Sequence, residues 1–329
     1  MPAARMMLSR RDAIGVLAGA TAAAAVPRIA RAQAWPDKPG KIVVAFPPGT
    51  STDNFARALA GQFQVQFGQP FVVENRPGAG GWTGTLAVAE SKPDGATMTV
   101  NANGISILGL VRKNSFDATK DLTPIAILAR SPVAFLIPNS LPVKTIKELV
   151  DYVKGRNNDF FYGSAGIGSI NHLYGELFNQ RAGIQMKHVP YRGFGEALPD
   201  LAAGRISLIF SSYATGAGMI KSGQLRLLAY GSDARPEGTP DAPSVRASGI
   251  DYETSFWWAL FGPGGMPVDM RNKINAATNT AMKDPGFAKL FLNSGVVPAP
   301  MDADAFTAEV KKHYAELKAV VDSAKIVFE

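Results

Sequence analysis

Short runs of consecutive apolar residues alternate with helix-length stretches along most of this chain. Runs at 42–46, 71–74, 97–101 and 133–137 predict strands, with helices at 54–67 and 84–90 between them. Apolar residues on consecutive positions suit a sheet covered on both faces. The β-α-β order predicts a parallel sheet with right-handed crossovers. After the proline-bearing stretch 138–143 the rhythm restarts. Helices are predicted at 146–154, 171–182, 196–203 and 215–222, and strands at 160–162, 188–189, 208–210 and 226–230. A proline-rich stretch, 236–243, precedes a tail with a strand at 256–261 and helices at 268–283, 286–292 and 303–324. Two strand–helix units joined by extended segments near 135 and 255 predict an α/β protein of two lobes. Residues 35–135 plus 256–329 form the first lobe and 136–255 the second.

Three glycine-bearing turns fall where a predicted strand ends and a helix begins. The first is Ala45-Phe-Pro-Pro-Gly-Thr-Ser-Thr-Asp53, the second Asn75-Arg-Pro-Gly-Ala-Gly-Gly-Trp-Thr-Gly84, and the third Tyr162-Gly-Ser-Ala-Gly-Ile-Gly-Ser-Ile-Asn171. Such junctions lie at the carboxyl edge of an open α/β sheet, where ligands bind. A helix start leaves backbone N–H groups without partners and adds roughly half a positive charge, which suits an anion. The first two turns belong to the first lobe and the third to the second, so an anion between them would bridge the lobes.

A dinucleotide site fits poorly: Gly78-Ala-Gly80-Gly-Trp-Thr83 lacks the last glycine of G-x-G-x-x-G, and no acidic residue ends a strand about 20 positions on.

Composition narrows the classes further. Ser9-Arg10-Arg11-Asp12, a weakly apolar run at 15–26 and small residues up to Ala34 predict a twin-arginine signal peptide over 1–34 and export to a bacterial periplasm. Five of the chain's 34 basic residues and one of its 27 acidic residues lie in that leader, so the net charge falls from +7 to +3 without it. No dense Lys/Arg stripe marks a nucleic-acid face. With no cysteine, disulfides and thiolate metal sites are excluded, and three histidines without ligand-like spacing argue against zinc. No cofactor or metal is expected.

In order and spacing these residues resemble the periplasmic solute-binding proteins of tripartite tricarboxylate transporters, the TctC-like or Bug family. The resemblance runs through Trp35-Pro36-x-x-Pro39, Phe46-Pro-Pro-Gly49, Gly68-Gln-Pro70, Val73-Glu-Asn-Arg-Pro-Gly-Ala-Gly-Gly81, Pro93-Asp-Gly95 and Tyr162-Gly-Ser-Ala-Gly166. It continues in His172-Leu-x-Gly-Glu-Leu-Phe178, His188-Val-Pro-Tyr-Arg-Gly193 and Trp258-x-Leu-Phe261. It implies a Venus-flytrap fold, each lobe a mainly parallel sheet flanked by helices, and no catalysis. It also implies a small organic carboxylate held between the loops 48–53 and 164–171, in part through ordered water, and delivery to a permease of one large and one small subunit; a monomer is expected. Two departures bear on the ligand. Trp82-Thr83 stands where the family often has Asn-Ile. Ser211-Ser212-Tyr213 stands where many members carry an acidic residue that meets a ligand amine. A flat aromatic or aliphatic carboxylate without an amine is therefore expected.

The candidate ligand contacts are Phe46, Pro48, Gly49, Thr50, Ser51, Asp53, Gly80, Gly81, Trp82, Ser164, Ala165, Gly168, Ser169, Asn171, Tyr191, Gly193 and Ser211. Asp53 fits a cap of its helix as well as a cleft lining, and Phe46, Trp82 and Tyr191 fit packing as well as stacking. Arg76 and Arg192 have the fork geometry for a carboxylate, with a structural ion pair favoured. His172 reads as a core histidine. The alternative is an exported hydrolase acting on a small carboxylic ester or amide. No G-x-S-x-G occurs, however, and His188 and His313 read as poorly placed for the serines of the third turn. A structural periplasmic role leaves the three anion-type turns without a purpose.

Overall fold

A computed structural model describes residues 35–78, 81–112, 116–157, 159–324 and 326. The predicted leader and Gly80 lie outside the described residues.

Two sheets organise the chain. In the first, β1 (Gly40–Val44) lies between β2 (Phe71–Asn75) and β3 (Thr97–Ala102), all parallel. The sheet extends from β3 through β10 (Ser255–Pro263) and β4 (Leu122–Pro132) to β11 (Val297–Pro298). β10 runs antiparallel to both of its neighbours, and β11 antiparallel to β4. The second sheet has the order β7 (Lys187–Pro190), β6 (Phe161–Ser164), β8 (Leu208–Ser211), β5 (Ala134–Pro138), β9 (Leu225–Tyr230). Only β5 opposes the others. The helices are α1 (Ser51–Phe67), α2 (Trp82–Ala89), α3 (Leu108–Arg112), α4 (Ile146–Gly155), α5 (Ile170–Ala182), α6 (Phe194–Ala202), α7 (Tyr213–Lys221), α8 (Val268–Ala281), α9 (Pro285–Ser294) and α10 (Ala303–Ala324).

Helix formation follows periodicity and caps. In α4, Ile146, Leu149, Val150 and Val153 form one buried stripe, and Thr145 caps the start by accepting from the Glu148 amide. In α1, Phe55, Leu59 and Phe63 face the first sheet, and Gly68 ends the helix at φ 70°. β4, the longest strand, is not among those predicted. Its Pro124 and Pro132 read as breakers, yet Pro124 sits opposite Phe261 beside a register shift, where a missing N–H is tolerated.

Strand direction fixes where the turns lie. β4 runs toward the second lobe, and β1, β2 and β3 run with it. The chain leaves the first sheet at Pro132 and enters the second at Ala134, which pairs with Ser211 and Tyr230, the last residues of β8 and β9. The carboxyl ends of the parallel strands in both sheets therefore abut the interlobe junction. Ala134 and Phe135, grouped by sequence with the first lobe, pair within the second sheet.

The junction is a small ring of backbone bonds: Val133 N donates to Thr254 O (3.4 Å), Thr254 N to Gly231 O (2.7 Å), and Gly231 N to Val133 O (2.7 Å). Beside it, Asn103 Nδ2 donates to the Tyr174 hydroxyl (2.6 Å), which donates to Ser255 O (2.8 Å). Helix α10 spans both lobes. Phe306 and Val310 pack with Trp257 and Phe261 in the first, whereas Leu317 and Val320 join Leu173 and Leu177 in the second. The far half of this helix thus leaves the lobe to which its position in the tail assigns it.

Candidate anion-binding turns at the interlobe junction

The turn after β1 and the turn after β6 are built on one plan. Thr50 caps α1 by accepting from Asp53 N (3.4 Å), and Ser169 caps α5 by accepting from His172 N (3.3 Å). The residue before each cap is a glycine with positive φ, Gly49 at 82° and Gly168 at 73°. That conformation is costly for any residue with a Cβ. In each turn the third helical residue reaches back to this glycine. Asp53 Oδ2 accepts from Gly49 N (3.0 Å), and His172 Nδ1 accepts from Gly168 N (3.1 Å). The arrangement is a variant of the capping box, moved one residue outward.

These bonds leave a definite set of donors. In the first turn the amides of Thr50, Ser51 and Thr52 have no acceptor among the described residues. In the second, those of Ala165, Ile167, Ile170 and Asn171 have none. Orphan amides at a helix start, with the helix dipole behind them, can hold an anion without any cation.

The supports differ. Asp53 is 2% exposed and also takes bonds from Arg57 Nε (3.0 Å) and Asn75 Nδ2 (2.9 Å). Burial alone would raise its pKa, but the bonds from Arg57, the Gly49 amide and Asn75 hold it below the usual carboxylate range. Asn75 Nδ2 also donates to Phe46 O (3.1 Å), which ties the first glycine turn to the second. Gly81 lies under the Phe46 ring, whose Cζ would be 3.4 Å from a Cβ there.

In the second lobe the support is aromatic and uncharged. The rings of His172 and His188 stack at 3.7 Å, 8° from parallel. His188 Nε2 lies 2.7 Å from Ser164 Oγ, contrary to the expectation that this histidine is remote from the turn. The parallel register sets Tyr162 opposite His188, which brings the imidazole beside the end of β6. Burial lowers the His172 pKa to about 3, with His188 adding to the shift, and lowers that of His188 to about 4. The Ser–His contact is not a catalytic dyad. Ser164 is fully buried, and its hydroxyl donates to Gly166 O (2.9 Å) and accepts from Gly166 N (3.1 Å).

Several candidate side chains turn inward. Asn171 Nδ2 donates to Phe210 O (2.7 Å), Ser211 Oγ to Thr215 Oγ1 (2.8 Å), and the Tyr191 hydroxyl to Asp200 (2.9 Å). Burial, then Asp200, pushes the Tyr191 pKa up to about 12. Tyr191 stays beside the turn through its backbone, its N donating to Ser164 O (3.1 Å). Trp82, half-buried, meets Phe116 edge-on at 5.4 Å. Pro48 and Gly49 are exposed, Phe46, Thr50, Ser51, Ala165 and Ser169 half-buried, and Gly193 is the N-cap of α6. Arg76 pairs with Glu74, as the structural reading has it. The Arg192 guanidinium has no partner among the described residues; Glu196 accepts from the Arg192 amide instead (3.4 Å). Sequence reasoning passed over Ile167, which stands 48% exposed between Gly166 and Gly168. An apolar residue between two glycines reads as a spacer.

Residues 55–326 match the sequence profile of the Tripartite tricarboxylate transporter family receptor, TctC. The structure of the periplasmic binding protein BugD is 30% identical, with 89% of this chain and 99% of that chain covered and a TM-score of 0.69. R. palustris Rpa4515, solved with adipate, is 29% identical over 89% of this chain and 99% of its own, at a TM-score of 0.70. MatC (Rpa3494) from Rhodopseudomonas palustris, solved with bound malate, is 28% identical over 87% of this chain and 100% of its own, at 0.69. With its two helix-flanked sheets, this chain has the α/β fold of periplasmic binding proteins and belongs to the TctC family, whose members are solute receptors and not enzymes.

Proposed function

We propose that this protein captures a small organic carboxylate between its two lobes in the periplasm, after twin-arginine export. It acts as a monomer, without nucleic acid, and delivers the ligand to a membrane permease of the tripartite tricarboxylate type. The observation that carries the reading is the matched pair of orphan amide sets at the starts of α1 and α5, both at strand ends that abut the interlobe junction. The adipate and malate found in two relatives fit a carboxylate ligand. The neutral Ser211 favours one without an amine.

Open and closed forms are in equilibrium, and the anion favours the closed one, because only there do both sets of donors reach it. Phe46 and Ile167 supply apolar surface for the body of the ligand. Thermal denaturation with adipate, malate, benzoate, aspartate and glutamate tests this. A binder's melting temperature rises with ligand as RT ln(1 + [L]/Kd), and the amine-free acids should give the larger shifts. Failure of every carboxylate to shift the transition would refute the reading. Tight capture of aspartate or glutamate would refute the ligand class. X-ray scattering should report compaction on saturation.

A further inference from the structure

The two histidines that stack beneath the second-lobe turn do not take part in the binding scheme above, yet they occupy its most constrained position. His172 stands at the same place in its turn as Asp53 in the first. Each is the third residue of a capped helix, and each accepts the amide of the positive-φ glycine that precedes the cap. Asp53 can do so as a carboxylate because Arg57 lies 3.0 Å away. No cation makes an ion pair with the second-lobe turn among the described residues.

Proton bookkeeping assigns the rings. An acceptor Nδ1 on His172 places its hydrogen on Nε2. The Ser164 hydroxyl hydrogen goes to Gly166 O, so His188 Nε2 carries a hydrogen and donates to Ser164 Oγ. One imidazole accepts, the other donates, and the stack at 3.7 Å keeps both planes fixed. Among the described residues, the charged and titratable groups around them are few. Tyr162, on β6, donates to Glu176 (2.6 Å), one turn along α5 from His172. Lys187, at the outer end of β7, is paired with Asp159 (2.7 Å).

We propose that His172, locked by its stack on His188, is the positioning residue of the second-lobe turn, a neutral counterpart of Asp53 that aims the free amides without adding charge. The inference rests on the proposed function for its ligand but not for its geometry. A carboxylate at position 172 would satisfy Gly168 equally well and would stand unneutralised beside the bound anion. A protonated ring would set two N–H groups against each other and release the turn.

Three variants separate positioning from mere folding. His172→Asn keeps an acceptor near the place of Nδ1, His172→Asp adds charge to it, and His172→Phe removes it. Hydrogen exchange of the Gly168 amide needs no ligand. It should stay protected in wild type, Asn and Asp, and accelerate at least tenfold in Phe, and nitrogen NMR should find His172 Nδ1 unprotonated at pH 7. Equal exchange in all four proteins, or a protonated Nδ1, would overturn the proposal. With adipate as probe, Asn should bind within about threefold of wild type and Asp at least tenfold more weakly. Wild-type affinity should hold within twofold from pH 8 to pH 5. An Asp variant that binds as wild type does, or an affinity break near pH 6.5 that vanishes in Asn, would also overturn it. If adipate binds to none of them, the ligand assignment fails, and exchange and NMR still decide the role of His172.

Discussion

In the first lobe the turn after β1 is braced by an ionic knot, with Asp53 held against Arg57 and Asn75. In the second, the turn after β6 rests on two stacked rings without charge. Both deliver a capped helix start, a left-handed glycine and a row of free amides. The backbone geometry an anion requires can thus be supported by opposite side-chain chemistry, provided the support leaves no net charge. Asp53 meets that condition with Arg57, and His172 by staying neutral.

The largest test of the contrast removes each brace. Asp53→Ala should cost about 3 kcal/mol of stability, because it strips charge-assisted bonds from Arg57, Asn75 and Gly49. His172→Ala should cost about 2 kcal/mol, the sum of a neutral bond and a partly filled cavity. Urea denaturation measures both, and the reverse order would remove the distinction between ionic and neutral support.

Acid provides a second test. An unfolded histidine takes up a proton below about pH 6.5, whereas the folded rings stay bare down to about 4 for His188 and about 3 for His172. The unfolded state therefore binds more protons in this window, and stability falls as pH drops through it. The slope is at most about 1.4 kcal/mol per pH unit for each histidine. His313, buried and lowered to about 4, contributes with the same sign. The depressed Asp53 acts lower down: its contribution is present above the unfolded carboxylate value and is lost as pH falls through the folded one. Replacing His172 and His188 with Asn and Gln should flatten the curve between pH 6.5 and 4.5. Asp53→Asn should not. If both changes flatten it alike, the lobes do not differ in the way described.

The smallest test concerns what the turns share. Thr50→Ala and Ser169→Ala each remove one cap, so each should cost about 1 kcal/mol. Equal losses in denaturant titrations would sharpen the comparison. A loss confined to one turn would show that their common plan is only formal.

The sequence carried the plan of the site further than its detail. Glycines and hydroxyls at strand-to-helix junctions are local signals, so the three turns could be read directly, whereas the pairing of Asp53 with Arg57, one helical turn on, was passed over. Which way a polar side chain faces is not local. Ser164, Asn171 and Ser211 have the right chemistry to meet a ligand, but each is buried and turns to a protein partner, as buried polar groups must. The approach of His188 to Ser164 depends on the pairing register of β6 with β7, which no residue type announces. β4 was hidden for a related reason, since Pro124 is tolerated where the pairing with β10 shifts register beside it and Pro132 where the strand ends.

Helix α10 is anchored at both ends, by Phe306 and Val310 on one side of the junction and by Leu317 and Val320 on the other. Any rotation of one half against the other must flex this rod or drag it across a packed surface. In the proposed closure it would act as a restoring spring that limits travel. The tail of the chain, remote from both turns in sequence, would thereby bear on how readily they approach each other.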